Sequence, residues 1–180
     1  MNDKKVQKII FSALFAALCC GATMAIKFPT IMGGYVHAGD AVVLLGAFLL
    51  GPGWGALAAG LGSALADILA GYAIYAPGTL VIKALMALSA GGILSSIGMK
   101  KPVTAAVLAG IVAELIMVLG YFLYSCFPLG YGLAALGDIV ANLMQGVFGA
   151  AAGVALFAAL RKTPYVKQNF EIKAHKKSEK

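Results

Sequence analysis

The chain has 180 residues, of which 61% are hydrophobic and 12% charged, with a mean hydropathy of +0.91 and a net charge of +7. A soluble domain is about half apolar and about a quarter charged, so an ordinary cytosolic enzyme, a disordered regulator and a secreted disulfide scaffold are excluded. Long unbroken apolar runs, in place of short alternating strands, point to an all-α polytopic membrane protein and away from a barrel.

Six hydrophobic stretches follow one another. The first runs from about Gln7 to Ile26 and is broken by Lys27, Pro29 and the Gly33-Gly34 pair. No small-residue cleavage site follows it, so it reads as a retained helix and not a signal peptide. The second, about Asp40 to Leu50, stops at Gly51-Pro52-Gly53 and is short against the roughly 20 residues of a usual span. The third runs from about Trp54 to Tyr72, the fourth from Thr79 to Gly98, the fifth from Val103 to Phe127 and the sixth from Tyr131 to Leu160. Together these define a six-helix transmembrane domain over residues 1–162, followed by a loose basic tail over 163–180.

The positive residues set an expected orientation. With six spans both termini share one side. Placing that side in the cytoplasm puts Lys4, Lys5, Lys8, the Lys100-Lys101 pair and the basic tail inside, leaving Lys27 alone in an outer loop. On so apolar a chain, the basic ends suit lipid headgroups and topology; nucleic acid is not an expected partner. Cys19, Cys20 and Cys126 show no metal-binding spacing.

Small residues recur at every fourth position in Ala56, Gly60 and Ala64, in Gly62, Ala66 and Ala70, and in Gly149 and Gly153. Such rows let helix backbones approach closely in lipid, and on the third and sixth helices they are expected to pack within the bundle. Ala13 and Ala17 form a similar pair on the first helix.

Charges within membrane spans need partners or a watered cavity. Asp40, Asp67, Lys83 and Asp138 all fall toward the outer ends of their helices, and only Glu114 approaches the middle. The inner half is almost purely apolar, so a pocket open to the outside is expected and a continuous channel is not. On the sixth helix Asp138, Asn142 and Gln145 share a face; on the fifth, Glu114, Met117, Tyr121 and Tyr124 do so. Aromatic faces with a few hydrogen-bonding groups suit a flat polar heterocycle. The alternative is an internal network in which Lys83 neutralises Asp67 or Glu114. The small-residue rows around Asp67 assign that residue to packing. Tyr35 and His37 in the glycine-rich first loop, and Tyr75 after the third helix, are placed to cap a pocket. No P-loop and no HExxH occur, so neither an enzyme nor a cofactor is expected. A self-sufficient secondary transporter or channel is a competing class, but its polar residues should extend to the inner side.

The stretch Gly34-Tyr35-Val36-His37-Ala38-Gly39-Asp40, then Leu50-Gly51-Pro52-Gly53-Trp54-Gly55-Ala56, Gly62-Ser63-Ala64-Leu65-Ala66-Asp67 and Tyr75-Ala76-Pro77-Gly78-Thr79-Leu80-Val81-Ile82-Lys83, resembles the substrate-binding S components of energy-coupling factor (ECF) vitamin transporters. The subgroup it most resembles is associated with riboflavin, hydroxymethylpyrimidine or pyridoxine-type compounds. The resemblance implies a vitamin-binding protein of the prokaryotic plasma membrane. Its vitamin enters an outward cavity capped by loop one. It then docks on a transmembrane coupling protein, the T component, carrying two cytosolic ATPases. The implied docking contacts are Ala13 and Ala17, in an AxxxA motif. The residues expected at the substrate are Tyr35, His37, Tyr75, Lys83, Glu114, Tyr121, Asp138, Asn142 and Gln145.

Overall fold

The computed structural model describes residues 3–98 and 100–170. The fold is helical, with α1 Asp3–Ala25, α2 Asp40–Leu50, α3 Pro52–Leu69, α4 Ala76–Ile97, α5 Pro102–Cys126, a 3₁₀ turn Gly132–Asp138 leading into α6 Ile139–Leu160, and a short α7 Pro164–Asn169. Four stretches are long and apolar enough to cross a bilayer by length and composition: Lys4–Ala25, Ala76–Ile97, Pro102–Cys126 and Gly132–Leu160. At about 1.5 Å per residue, the 11 residues of α2 reach only about half of a roughly 30 Å hydrocarbon core.

The short α2 is the centre of the bundle. It packs against α1, α3, α4 and α6, and nine of its residues, Asp40 among them, are buried. A helix that is apolar all round belongs inside. Gly51 (φ 81°) supplies the left-handed backbone that lets α2 pass directly into α3, where Pro52 takes the first helical turn. The small-residue rows do pack internally. A Cβ on Gly62 would lie 2.2 Å from the Ala16 carbonyl oxygen of α1, and one on Gly60 2.8 Å from that of Leu80 in α4. A Cβ on Gly153 would sit 3.0 Å from Leu44 of α2. Outward faces carry long apolar side chains such as Leu57, Leu61 and Leu65, each about half exposed. Such stripes would promote aggregation in water and suit acyl chains.

Two features depart from the expectations. Loop one is a two-stranded antiparallel hairpin, β1 Lys27–Pro29 with β2 Tyr35–His37, in which Phe28 pairs with Val36. Gly33 (φ 77°) makes its turn. The segment expected as a loose tail begins with α7, capped by Thr163, whose Oγ1 accepts from the Val166 N–H at 3.4 Å. Gln7 Nε2 donates to Asn169 Oδ1 at 2.7 Å, and the Phe11 and Phe170 rings lie 4.6 Å apart, so α7 and Phe170 dock on the start of α1. The rest of the tail, residues 171–180, lies outside the described residues.

Candidate functional site

The start of α2, the end of α3, the start of α4, the end of α5 and the start of α6 meet at one end of the bundle, where Asp40 pairs with Lys83 and Asp67, Thr79, Ser125 and Asn142 line one cavity. The hairpin folds over that end. Between them lies a cavity of about 30 Å³ lined by residues of the hairpin, α3–α6 and the 3₁₀ turn, space for one or two waters. Of the sequence-predicted residues, Tyr35, His37, Tyr75, Tyr121, Asp138, Asn142 and Gln145 line it. Lys83 and Glu114 are absent from the lining and sit deeper in the protein. The lining also includes Thr30, Gly34, Thr79 and Ser125, which sequence reasoning did not single out, and Asp67, which it gave to packing.

The deepest layer is an ion pair. Lys83 Nζ donates to Asp40 Oδ1, and both side chains are fully buried. The expectation that Lys83 pairs with Asp67 or Glu114 is thereby corrected: Asp40 opens α2 at the bundle centre, where Lys83 points. Gln145 Nε2 donates to Asp40 Oδ2 at 2.6 Å, and Gln145 Oε1 accepts from the His37 N–H at 2.8 Å. Both ends of the Gln145 amide are therefore engaged inside the protein, linking the hairpin to the ion pair. Burying a charge requires this kind of satisfied surrounding. Glu114 stands beside it without such partners. Neither of its carboxylate oxygens has a hydrogen bond among the described residues, and Gly149 leaves the space in which it and Asp40 approach.

The hairpin is fastened at three further points. Thr30 Oγ1 donates to Asp138 Oδ2 at 2.8 Å and the Met32 N–H to Asp138 Oδ1 at 3.3 Å, so both carboxylate oxygens of Asp138 hold the turn. Tyr75 Oη donates to the Met32 carbonyl at 3.3 Å. Tyr35 Oη donates to Asp67 Oδ1 at 2.5 Å, while its ring lies 4.5 Å from that of Tyr72. His37 Nδ1 accepts from the Gly39 N–H at 3.0 Å. Burial, reinforced by the Lys83 charge, holds the His37 imidazole down to about 4 against an ordinary 6.5, so it is neutral at physiological pH. In the remaining wall, Tyr121 Oη and Thr79 Oγ1 share a hydrogen bond at 3.0 Å. The site therefore presents aromatic rings, one neutral imidazole, the amide of Asn142 and a partly engaged carboxylate.

Residues 3–162 match the family model of the ECF-type riboflavin transporter, S component. The chain is also 35% identical over 142 residues to a Pyrococcus woesei protein described as an uncharacterized protein in gap 3′ region, covering 78% of this chain and 92% of that one. The family is a membrane-embedded, non-enzymatic transporter family serving vitamin uptake. The chain, with its helical bundle and polar cavity, belongs to the family of ECF-type riboflavin transporter S components.

Proposed function

We propose that this chain captures a small heterocyclic vitamin or precursor, of pyridoxine, hydroxymethylpyrimidine or riboflavin type, at the outer face of a prokaryotic plasma membrane. It hands that ligand inward together with a T component and two cytosolic ATPases. In this reading the bundle makes six membrane passes, α2 and α3 each counting as one, and both termini are cytoplasmic. The basic ends then face the inner lipid headgroups. Tyr35, His37, Tyr75, Tyr121 and Asn142 meet the ligand; Asp138 and Gln145 hold the hairpin around it; Lys83 and Glu114 act from beneath. Ala13 and Ala17 lie exposed on α1, available to the T component.

The observation that carries this reading is the cavity itself. It is polar and aromatic, lies at one end of the bundle and is closed by a hairpin. The apolar α2 fills the centre beneath it. Such a site binds and shields a ligand without offering a path through.

The test is binding by the purified full chain in detergent. The expected result is one heterocycle bound per chain, recovered from the protein after expression in rich medium and identified by mass spectrometry. A chain that is folded by thermal unfolding, yields no such molecule and binds none added would overturn the reading.

A further inference from the structure

The hairpin and the segment joining α5 to α6 are apolar where loops in water usually carry charge. No Asp, Glu, Lys or Arg occurs between Lys27 and Asp40, or between Glu114 and Asp138. Ile31, at the hairpin tip, is 88% exposed, Leu133 in the 3₁₀ turn 75% and Phe127 after α5 72%. Large apolar side chains left open at one end of a molecule mark an interaction surface.

Continuity and depth identify bilayer lipid as what covers them. Leu115, Leu119, Leu123 and Phe127 form an exposed i, i+4 row along α5. Leu133, Leu136, Val140, Met144 and Val147 form another from the 3₁₀ turn along α6. Both rows lie on stretches long and apolar enough to cross a bilayer, and both run without a break to the cavity end. Arg161 closes α6 at the opposite end. The 22 residues of α6 rise about 33 Å, against a hydrocarbon core of roughly 30 Å. With Arg161 at one boundary of that core, the start of α6 meets the other. The hairpin tip is seated at that level. Thr30 Oγ1 and the Met32 N–H donate to Asp138, the residue before α6, and a Cβ on Gly137 would lie 3.7 Å from the Met32 side chain. Asp138 has both carboxylate oxygens engaged by the hairpin turn, so its charge is turned away from the apolar rim.

We propose that the hairpin tip is a membrane-interface anchor: Ile31, with Phe127 and Leu133, dips into the boundary between headgroups and acyl chains of the leaflet on the cavity side. The partner is phospholipid. The hairpin is then held by Asp138 on one side and by the bilayer on the other, and the contact needs no ligand.

The test places a fluorophore at the tip. Trp54 is the single native tryptophan, so Ile31→Trp is made in a Trp54→Phe background. The full chain is reconstituted at one copy per phosphatidylcholine nanodisc, which removes a second copy as the cover. The expected result is blue-shifted emission that iodide in the buffer barely quenches. That emission should fall roughly twofold or more when the lipid carries bromine near the headgroup end of its acyl chains, and less when the bromine lies near the chain ends. If Trp54→Phe fails to fold, the difference between Ile31→Trp and wild type, both retaining Trp54, gives the same readout. Strong quenching by iodide without quenching by bromine places the tip in water and overturns the anchor. Protection from both quenchers means that protein covers the tip, and stronger quenching from the chain ends places it in the hydrocarbon core; either result also overturns the anchor.

Discussion

Removing the Lys83 ammonium should destabilise the bundle severely, and removing its partner as well should restore much of the loss. Lys83 and Asp40 are both fully buried and face each other across α4 and α2. Replacing Lys83 with methionine leaves the Asp40 carboxylate with only the Gln145 amide as a donor, and leaves Glu114 nearby with none. Breaking a buried pair in this way costs about 3–5 kcal/mol, mostly the penalty of the stranded charge. For a chain of this length that corresponds to a fall of roughly 6–20 °C in the unfolding midpoint, at about 2–4 °C per kcal/mol. The double variant Lys83→Met with Asp40→Asn strands no charge in this pair and keeps a hydrogen-bonding group for Gln145. It should recover at least half of the loss. Thermal unfolding in one detergent, run as a double-mutant cycle, measures this. If Lys83→Met lies within about 1 kcal/mol of wild type, or if the double variant is as unstable as the sum of the singles, the pair does not anchor the fold as argued.

Other perturbations have distinct outcomes. Asn142→Ala should weaken ligand binding by roughly tenfold to a hundredfold, the effect of removing one hydrogen-bond partner from a buried ligand group, with the unfolding midpoint unchanged; titration and thermal unfolding read the two separately. Glu114→Gln should leave stability unchanged or raise it, because it keeps the shape of a buried carboxylate that has no hydrogen-bond partner among the described residues; a clear loss in the same thermal assay would mean that the charge is needed. Because the His37 imidazole is held down to about 4 while the unfolded chain titrates near 6.5, protons favour the unfolded state between those values. Stability should therefore be full above about pH 6.5 and fall as the pH drops toward 4, and His37→Gln should flatten that part of the pH profile. Ala13→Trp with Ala17→Trp should spare ligand binding and abolish co-purification with the T component, since a large side chain on that α1 face separates the helices.

Much of the scaffold was legible because helices in lipid are long, apolar and punctuated. Pro52, Pro102 and the glycines at 51 and 98 stand where helices start or end, and the rows at Gly60, Gly62 and Gly153 pack where their spacing predicted. The hairpin was not legible, because strands of three residues carry too little periodicity to stand out from a glycine-rich loop. The partner of Lys83 was not legible either. Asp40 and Asp67 both fall near helix ends on the same side, and only the packing of α2 at the centre decides between them. Gln145 was read as a ligand contact from its face; that its two-ended amide also ties Asp40 to the hairpin was not legible. Small neighbours hid Asp67, since a row of alanines and glycines signals close packing and says nothing of the polar residue at its end. One signal was available and passed over: Thr163-Pro164 is an N-cap followed by a first-turn proline, and α7 begins there.

The central claim is that the chain captures its ligand but does not move it alone. Uptake of radiolabelled ligand into proteoliposomes tests this most directly, with the chain reconstituted alone and together with the T component and both ATPases, in each case with ATP inside or outside and with or without an ion gradient. The account predicts accumulation only with the complete module and with ATP on the side of the ATPases, while the chain alone binds ligand and accumulates none. Sustained accumulation by the chain alone, driven by an ion gradient, would contradict it.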